Sequence, residues 1–131
     1  MVIDSSALVA ILLAESDHLP IAEAIEADPV RLVSAVTKLE TSMVMIGRQG
    51  QEGLVRFDRL ISRMVATIMP FDDHQADIAR DAFARFGKGR HRAGLNFGDC
   101  AAYALAIAEA EPLLFKGTDF GATDVEVVKL A

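Results

Sequence analysis

One cysteine, one tyrosine and no tryptophan stand in this 131-residue sequence. A lone Cys100 excludes an intrachain disulfide, so the fold must rest on its core, and a reducing cytoplasm is the expected compartment. Aromatic residues make up only 6% of the chain, which suits helices packed on a sheet better than an aromatic-rich β-sandwich. Basic residues are outnumbered, 13 Lys and Arg against 19 Asp and Glu, for a net charge of −6. That balance excludes sequence-blind attraction to nucleic acid or anionic membrane, while leaving room for a local basic strip. Long apolar runs are missing too: "ALVAILLA" at 7–14 is the longest, far short of the ~20 residues that span a bilayer. Asp4 interrupts the apolar start and no basic stretch precedes it, so a secretory signal is not expected. Internal repeats and low-complexity linkers are absent.

What is present is a high apolar fraction, 52%, in a chain long enough for one domain, expected over 1–131. Short apolar runs alternate with helical stretches. "MVID", "VRLVSA" (30–35), "ATIMP" (66–70), "PLLFKG" (112–117) and "VEVVKL" (125–130) read as strands. "SSALVAILLAES" reads as a helix with Ser5 or Ser6 available as cap, and "HLPIAEAIEAD" as a second with Pro20 in its first turn. "AVTKLETSMVMIGRQG" is a helix stopped by glycine, its stripe Val36, Leu39, Met43 and Ile46 expected to face the core. "EGLVRFDRLISRMVA", "FDDHQADIARDAFARFGKG" (with Asp72 and Gln75 at capping-box spacing) and "GDCAAYALAIAEAE" complete the helices. The alternation predicts an α/β fold in three layers, a mostly parallel sheet with helices on both faces. Ligands of such sheets bind at the carboxyl ends of the strands.

Four acids map to that edge. Asp4 closes the first strand, Glu40 lies early in the helix after the second, Asp99 starts the helix before the fourth, and Asp119 follows the fourth. Each has an ordinary reading: Asp4 and Asp99 as helix caps, Glu40 as the boundary of an exposed face, Asp119 as a turn residue. Their convergence has another. Carboxylates gathered in one cleft repel one another unless a cation compensates them, and an oxygen-only, acid-rich set suits Mg²⁺ or Mn²⁺.

The segments "MVIDSSALVAILLAE", "SAVTKLE", "FGKGRH", "LNFGDCAAYALA" and "PLLFKGTDF" together resemble the PIN-domain ribonucleases, specifically VapC-type toxins of bacterial toxin–antitoxin pairs. The resemblance runs over nearly the whole chain. It implies a five-stranded parallel sheet and an Mg²⁺- or Mn²⁺-dependent endoribonuclease, with Asp4, Glu40, Asp99 and Asp119 as catalytic and metal-binding residues. Asp4 and Asp99 would be the direct ligands. Many relatives place the fourth acid at the position held here by Gly117; Asp119 is the acid present. Ser6 matches a small hydroxyl position near the metal and is equally a cap. A cognate antitoxin, an RNA substrate and a homodimer are the implied partners, with no membrane among them.

A metal-activated water would attack phosphorus and leave 5′-phosphate and 3′-hydroxyl ends. For gripping RNA, "RFGKGRHR" places Arg85, Lys88, Arg90 and Arg92 in one short stretch, a phosphate-contact strip or a solvated basic loop. Its glycine spacing is not that of a P-loop. His18, His74 and His91 are scattered, and Cys100 reads as a small buried helix residue. Two other functions fit a doubly wound domain with acids at strand ends: a phospho-receiver-like module, and a catalytically inactive PIN fold used for binding. A receiver wants paired acids after the first strand, whereas "VIDSS" supplies one.

Overall fold

The computed structural model describes all residues, 1–131. Four strands, β1 (Val2–Ile3), β2 (Leu32–Ser34), β3 (Thr67–Met69) and β4 (Leu113–Leu114), form one sheet in the order β3-β2-β1-β4, every pair parallel. The fifth expected strand is reduced to a single parallel bridge, Leu113 to Val127. The reason lies just upstream. Asp124 accepts a 2.6 Å hydrogen bond from Tyr103 Oη and pairs with Arg85 at 2.8 Å, which holds the entering chain toward the helices, so that it meets β4 only through the two backbone hydrogen bonds of Leu113 with Glu126 and Val128.

Helices α1 (Ser5–Leu12), α2 (His18–Ala27) and α3 (Ala35–Met64) cover one face; α4 (Asp73–Phe86) and α5 (Phe97–Glu109) cover the other. The two-residue strands show why. Side chains alternate along a strand, so Val2 and Leu113 join the core under α4 and α5, while Ile3 and Leu114 join Leu8, Ile21, Met45 and Phe57 on the opposite side. Helix α5 is buried continuously from Cys100 to Ala106, and its many alanines let α4 and the sheet approach closely.

Helix α3 holds a break: Gly50 sits at φ 62°, ψ −147°, a conformation that favours glycine. The two helices read from the sequence are therefore the two halves of α3. The first half turns differently from expectation. Thr37, Thr41 and Met45 face inward, and of the stripe expected inside Val36 is half-buried while Leu39, Met43 and Ile46 are outside, 61%, 65% and 48% exposed. The half-helix carries apolar groups on two faces, and α1, the sheet and α5 cover only one. At the other end of α3, Arg31 donates to the carbonyls of Ile25, Glu26, Asp28 and Met64, tying it to α2. The expected capping box of α4 forms by half: Asp72 accepts from Gln75 N–H, but the Gln75 amide turns to Pro70 O.

Since all strands run in parallel, their carboxyl ends share one edge, and the chain reverses its direction of travel across the sheet between β1 and β4. The starts of α1, α3 and α5 come to that edge as well.

Candidate active site

Asp4 is 2% exposed at the end of the central strand β1. It is the N-cap of α1: Oδ2 accepts from Ser6 N–H at 3.0 Å and from Ser6 Oγ at 2.6 Å. Oδ1 is buried without any hydrogen-bond partner. The capping reading of Asp4 holds and uses one oxygen, leaving the other uncommitted. Ser6 Oγ also accepts from Lys116 N–H at 2.9 Å, joining α1 to the turn after β4. The Lys116 ammonium in turn lies 3.2 Å from Glu15 and 3.3 Å from Asp17.

Asp99 occupies the third position of α5, and Asn96 is its cap. The two form a reciprocal box: Asp99 N–H donates to Asn96 Oδ1 at 2.9 Å, and Asn96 N–H donates to Asp99 Oδ2 at 3.0 Å. Asp99 is half-buried and its Oδ1 has no such bond. Glu40, in the second turn of α3, lies against the first turn of α5. Its carboxyl carbon is 2.6 Å from where a Cβ on Gly98 would sit. Asp119 is exposed just before a short 3₁₀ turn at Phe120–Ala122 and makes no cap bond there. Gly117 has φ 108° with open space around it.

Burial pushes the Asp4 carboxyl up to about 6; the Ser6 hydrogen bonds oppose this, and the charges of Asp99 and Glu40 add to it. The Asp99 carboxyl is also raised, chiefly by burial, against the Asn96 hydrogen bond and with the charges of Asp119 and Glu40. The four acids therefore form one electrostatic group, linked through Asp99. No three of them converge at ligand distance of a common point, so an ion shared by three requires their side chains to draw together. The donor set fits a hard divalent cation: all oxygen, mutually repelling, with a buried Asp4 oxygen that nothing in the protein satisfies.

The basic stretch divides in two. Arg85 is held by Asp81 and Asp124 and lies over the Phe86 ring. Lys88, Arg90 and Arg92 are exposed on a loop closed by the Gly87–Leu95 bridge and steadied by His91, which packs edge-on against Phe86. That loop leads directly into Asn96 and Asp99. His18 and His74 lie outside this group of residues. The Cys100 thiol is buried and pushed up to about 11, chiefly by burial, as befits a packing residue. The acids were visible in the sequence; Asn96, Lys116 and Gly98 were not. The asparagine three residues before Asp99 was the one available signal.

Known proteins match nearly the whole length of the chain. The PIN domain family matches residues 1–126. A protein named Ribonuclease VapC from Mycolicibacterium smegmatis is 50% identical over 128 residues, covering 98% of this chain and 99% of its own. Ribonuclease VapC30 of Mycobacterium tuberculosis is 48% identical over 130 residues, covering 99% of each. Among solved structures, VapC20 of Mycobacterium tuberculosis, described as a sarcin–ricin loop cleaving toxin, superposes with a TM-score of 0.79 at 17% identity over 98% of both chains. VapBC2 from Rickettsia felis, bound to a promoter DNA fragment, superposes at 0.77 with 12% identity, covering 99% of this chain and 98% of that one.

Proposed function

Because the chain belongs to the PIN-domain family, among its VapC ribonucleases, we propose that Asp4, Glu40, Asp99 and Asp119 are the residues with which it hydrolyses RNA as the toxin of a toxin–antitoxin pair. The observation that carries this reading is Asp4: a carboxylate in the core beside two others, with one oxygen left unsatisfied. Such a group is costly to bury unless a cation completes it. Mg²⁺ or Mn²⁺ would supply, when bound, positive charge to a phosphodiester oxygen and greater acidity to a water. Asp4 and Asp99 would hold the ion through their uncommitted oxygens. Glu40 would orient the attacking water and take its proton. Asp119, exposed at the mouth, would complete the anionic ring in place of an acid at Gly117. Hydrolysis in line with the 3′ oxygen leaves 5′-phosphate and 3′-hydroxyl ends.

Lys88, Arg90 and Arg92 would receive the RNA backbone beside the acids. Arg85, occupied by two aspartates, contributes to fold instead. The outward stripe of α3, with Phe97 80% exposed beside it, supports a homodimer, since exposed apolar strips of this kind mark interfaces. On the opposite flank, α1, α2 and the second half of α3 line adjoining grooves, the larger about 590 Å³, with Ile11, Leu60, Arg59 and Arg63 in their walls. Arg59 and Arg63 have no ion-pair partner. An amphipathic, acidic segment of the cognate antitoxin fits that combination. Purified antitoxin-free protein incubated with total RNA and Mn²⁺ should cleave it, and EDTA should abolish cleavage. Undiminished cutting in EDTA refutes the reading.

A further inference from the structure

Gly98 stands in the first turn of α5, buried and helical, where its φ is not positive. In a helix, alanine is favoured over glycine. Backbone conformation therefore gives no reason for glycine here. Space gives one. The three atoms nearest to a Cβ built at Gly98 all belong to the Glu40 carboxyl group: Cδ and Oε1 at 2.6 Å, and Oε2 closer still. Other close glycines differ. At Gly53 and Gly87 a Cβ would meet the backbone carbonyls of Met45 and Phe83, and at Gly47 it would meet nothing within 4 Å.

We propose that Gly98 is a positioning residue for Glu40: the gap left by its absent side chain is the seat that holds the Glu40 carboxylate against α5, one residue from Asp99. The proposal rests on the reading of Glu40 as a site residue. One helical turn then sets two acids by different means, Asp99 through its box with Asn96 and Glu40 through the bare surface at Gly98. What obstructs a methyl group at this point is the far end of a flexible side chain. Gly98→Ala should therefore displace the Glu40 carboxylate and leave α5 in place, so that the fold survives while the site is disarranged.

The test compares Gly98→Ala, Glu40→Ala and the double variant, with Gly47→Ala as the control for a generic glycine effect. Three measurements are made: the metal-free crystal structure of Gly98→Ala, Mn²⁺ affinity by calorimetry, and the thermal midpoint. Gly98→Ala is expected to keep or raise the midpoint, to show Glu40 swung away from α5, and to weaken Mn²⁺ binding by about tenfold, the scale for groups that orient metal ligands. In the Glu40→Ala background the same change should alter affinity by less than about twofold, because no carboxylate remains to displace. Gly47→Ala, in open helix surface, should raise the midpoint by its helix preference alone and leave Mn²⁺ affinity unchanged. An unmoved Glu40 in the Gly98→Ala crystal, or equal losses in both backgrounds, overturns the proposal. If the wild-type protein binds no Mn²⁺, the metal reading falls separately, and the position of Glu40 in the metal-free crystal still decides the role of Gly98.

Discussion

Asp4 and Asp99 are fixed by the same device: each gives Oδ2 to the start of a helix and keeps Oδ1 free of any hydrogen bond. Helix capping thus aims both acids, and no separate scaffold is required. Replacing Asp99 by asparagine preserves size and an acceptor for Asn96 N–H while removing the charge. Cleavage of RNA in Mn²⁺ should fall by about 10²-fold or more, the scale of losing a group that acts in the chemical step, with the circular dichroism spectrum unchanged. Equal cleavage by both proteins would point to a contaminating nuclease.

The pH dependence of stability follows from Asp4. Its carboxyl is held at about 6 against an ordinary 3.8, so between these values the folded protein binds more protons than the unfolded chain. Stability contributed by this group therefore falls as pH rises through that window, by up to about 3 kcal/mol. Below the window the penalty is absent; above it the penalty is complete. Urea titration of the metal-free protein should give a higher midpoint at pH 5 than at pH 7, and Asp4→Asn should flatten the difference. Further acidification should reverse the trend, because Asp28 and Asp124 have carboxyls held below the usual range by their hydrogen bonds and cationic partners. Mn²⁺ affinity should weaken over the same interval in which Asp4 takes up its proton.

The basic stretch should split by experiment as it does in space. A Lys88→Gln, Arg90→Gln, Arg92→Gln triple variant should bind RNA more weakly, with a salt dependence flatter by about 0.7 per lost phosphate contact, and melt as the wild type does. Arg85→Ala should do the reverse. It leaves Asp124 with only the Tyr103 hydroxyl and should lower the urea midpoint, with little change in the salt slope.

Leu39→Asp and Met43→Asp place charge on the outward stripe of α3. Light scattering should show the particle mass halved relative to wild type, with the thermal midpoint of the protomer nearly kept. A wild-type protein already monomeric at tens of micromolar would remove this surface from the dimer.

The layers and the acids were legible because both follow local rules. Alternation in "MVID" and "PLLF" sends Val2 and Ile3 to opposite cores, and a parallel sheet brings strand ends together whatever the helices do. Three things were not legible. The fifth strand depends on where Asp124 is pulled by Tyr103 and Arg85, residues far away in sequence. The outward face of α3 depends on how little of it α1, the sheet and α5 can cover, which periodicity does not report when apolar residues lie on two faces. Arg85 looked like its basic neighbours, and only its ties to Asp81 and Asp124 distinguish it.

Gly50 gives one continuous segment two separate vocations. The turns before it are oily and border the acids; the turns after it are studded with arginine and border α1 and α2. A bend at φ 62° lets each half lie at its own angle. If the antitoxin docks beyond the bend and the protomers pair before it, as proposed, substitutions beyond the bend would change the inhibitor while leaving the acids and the outward stripe untouched.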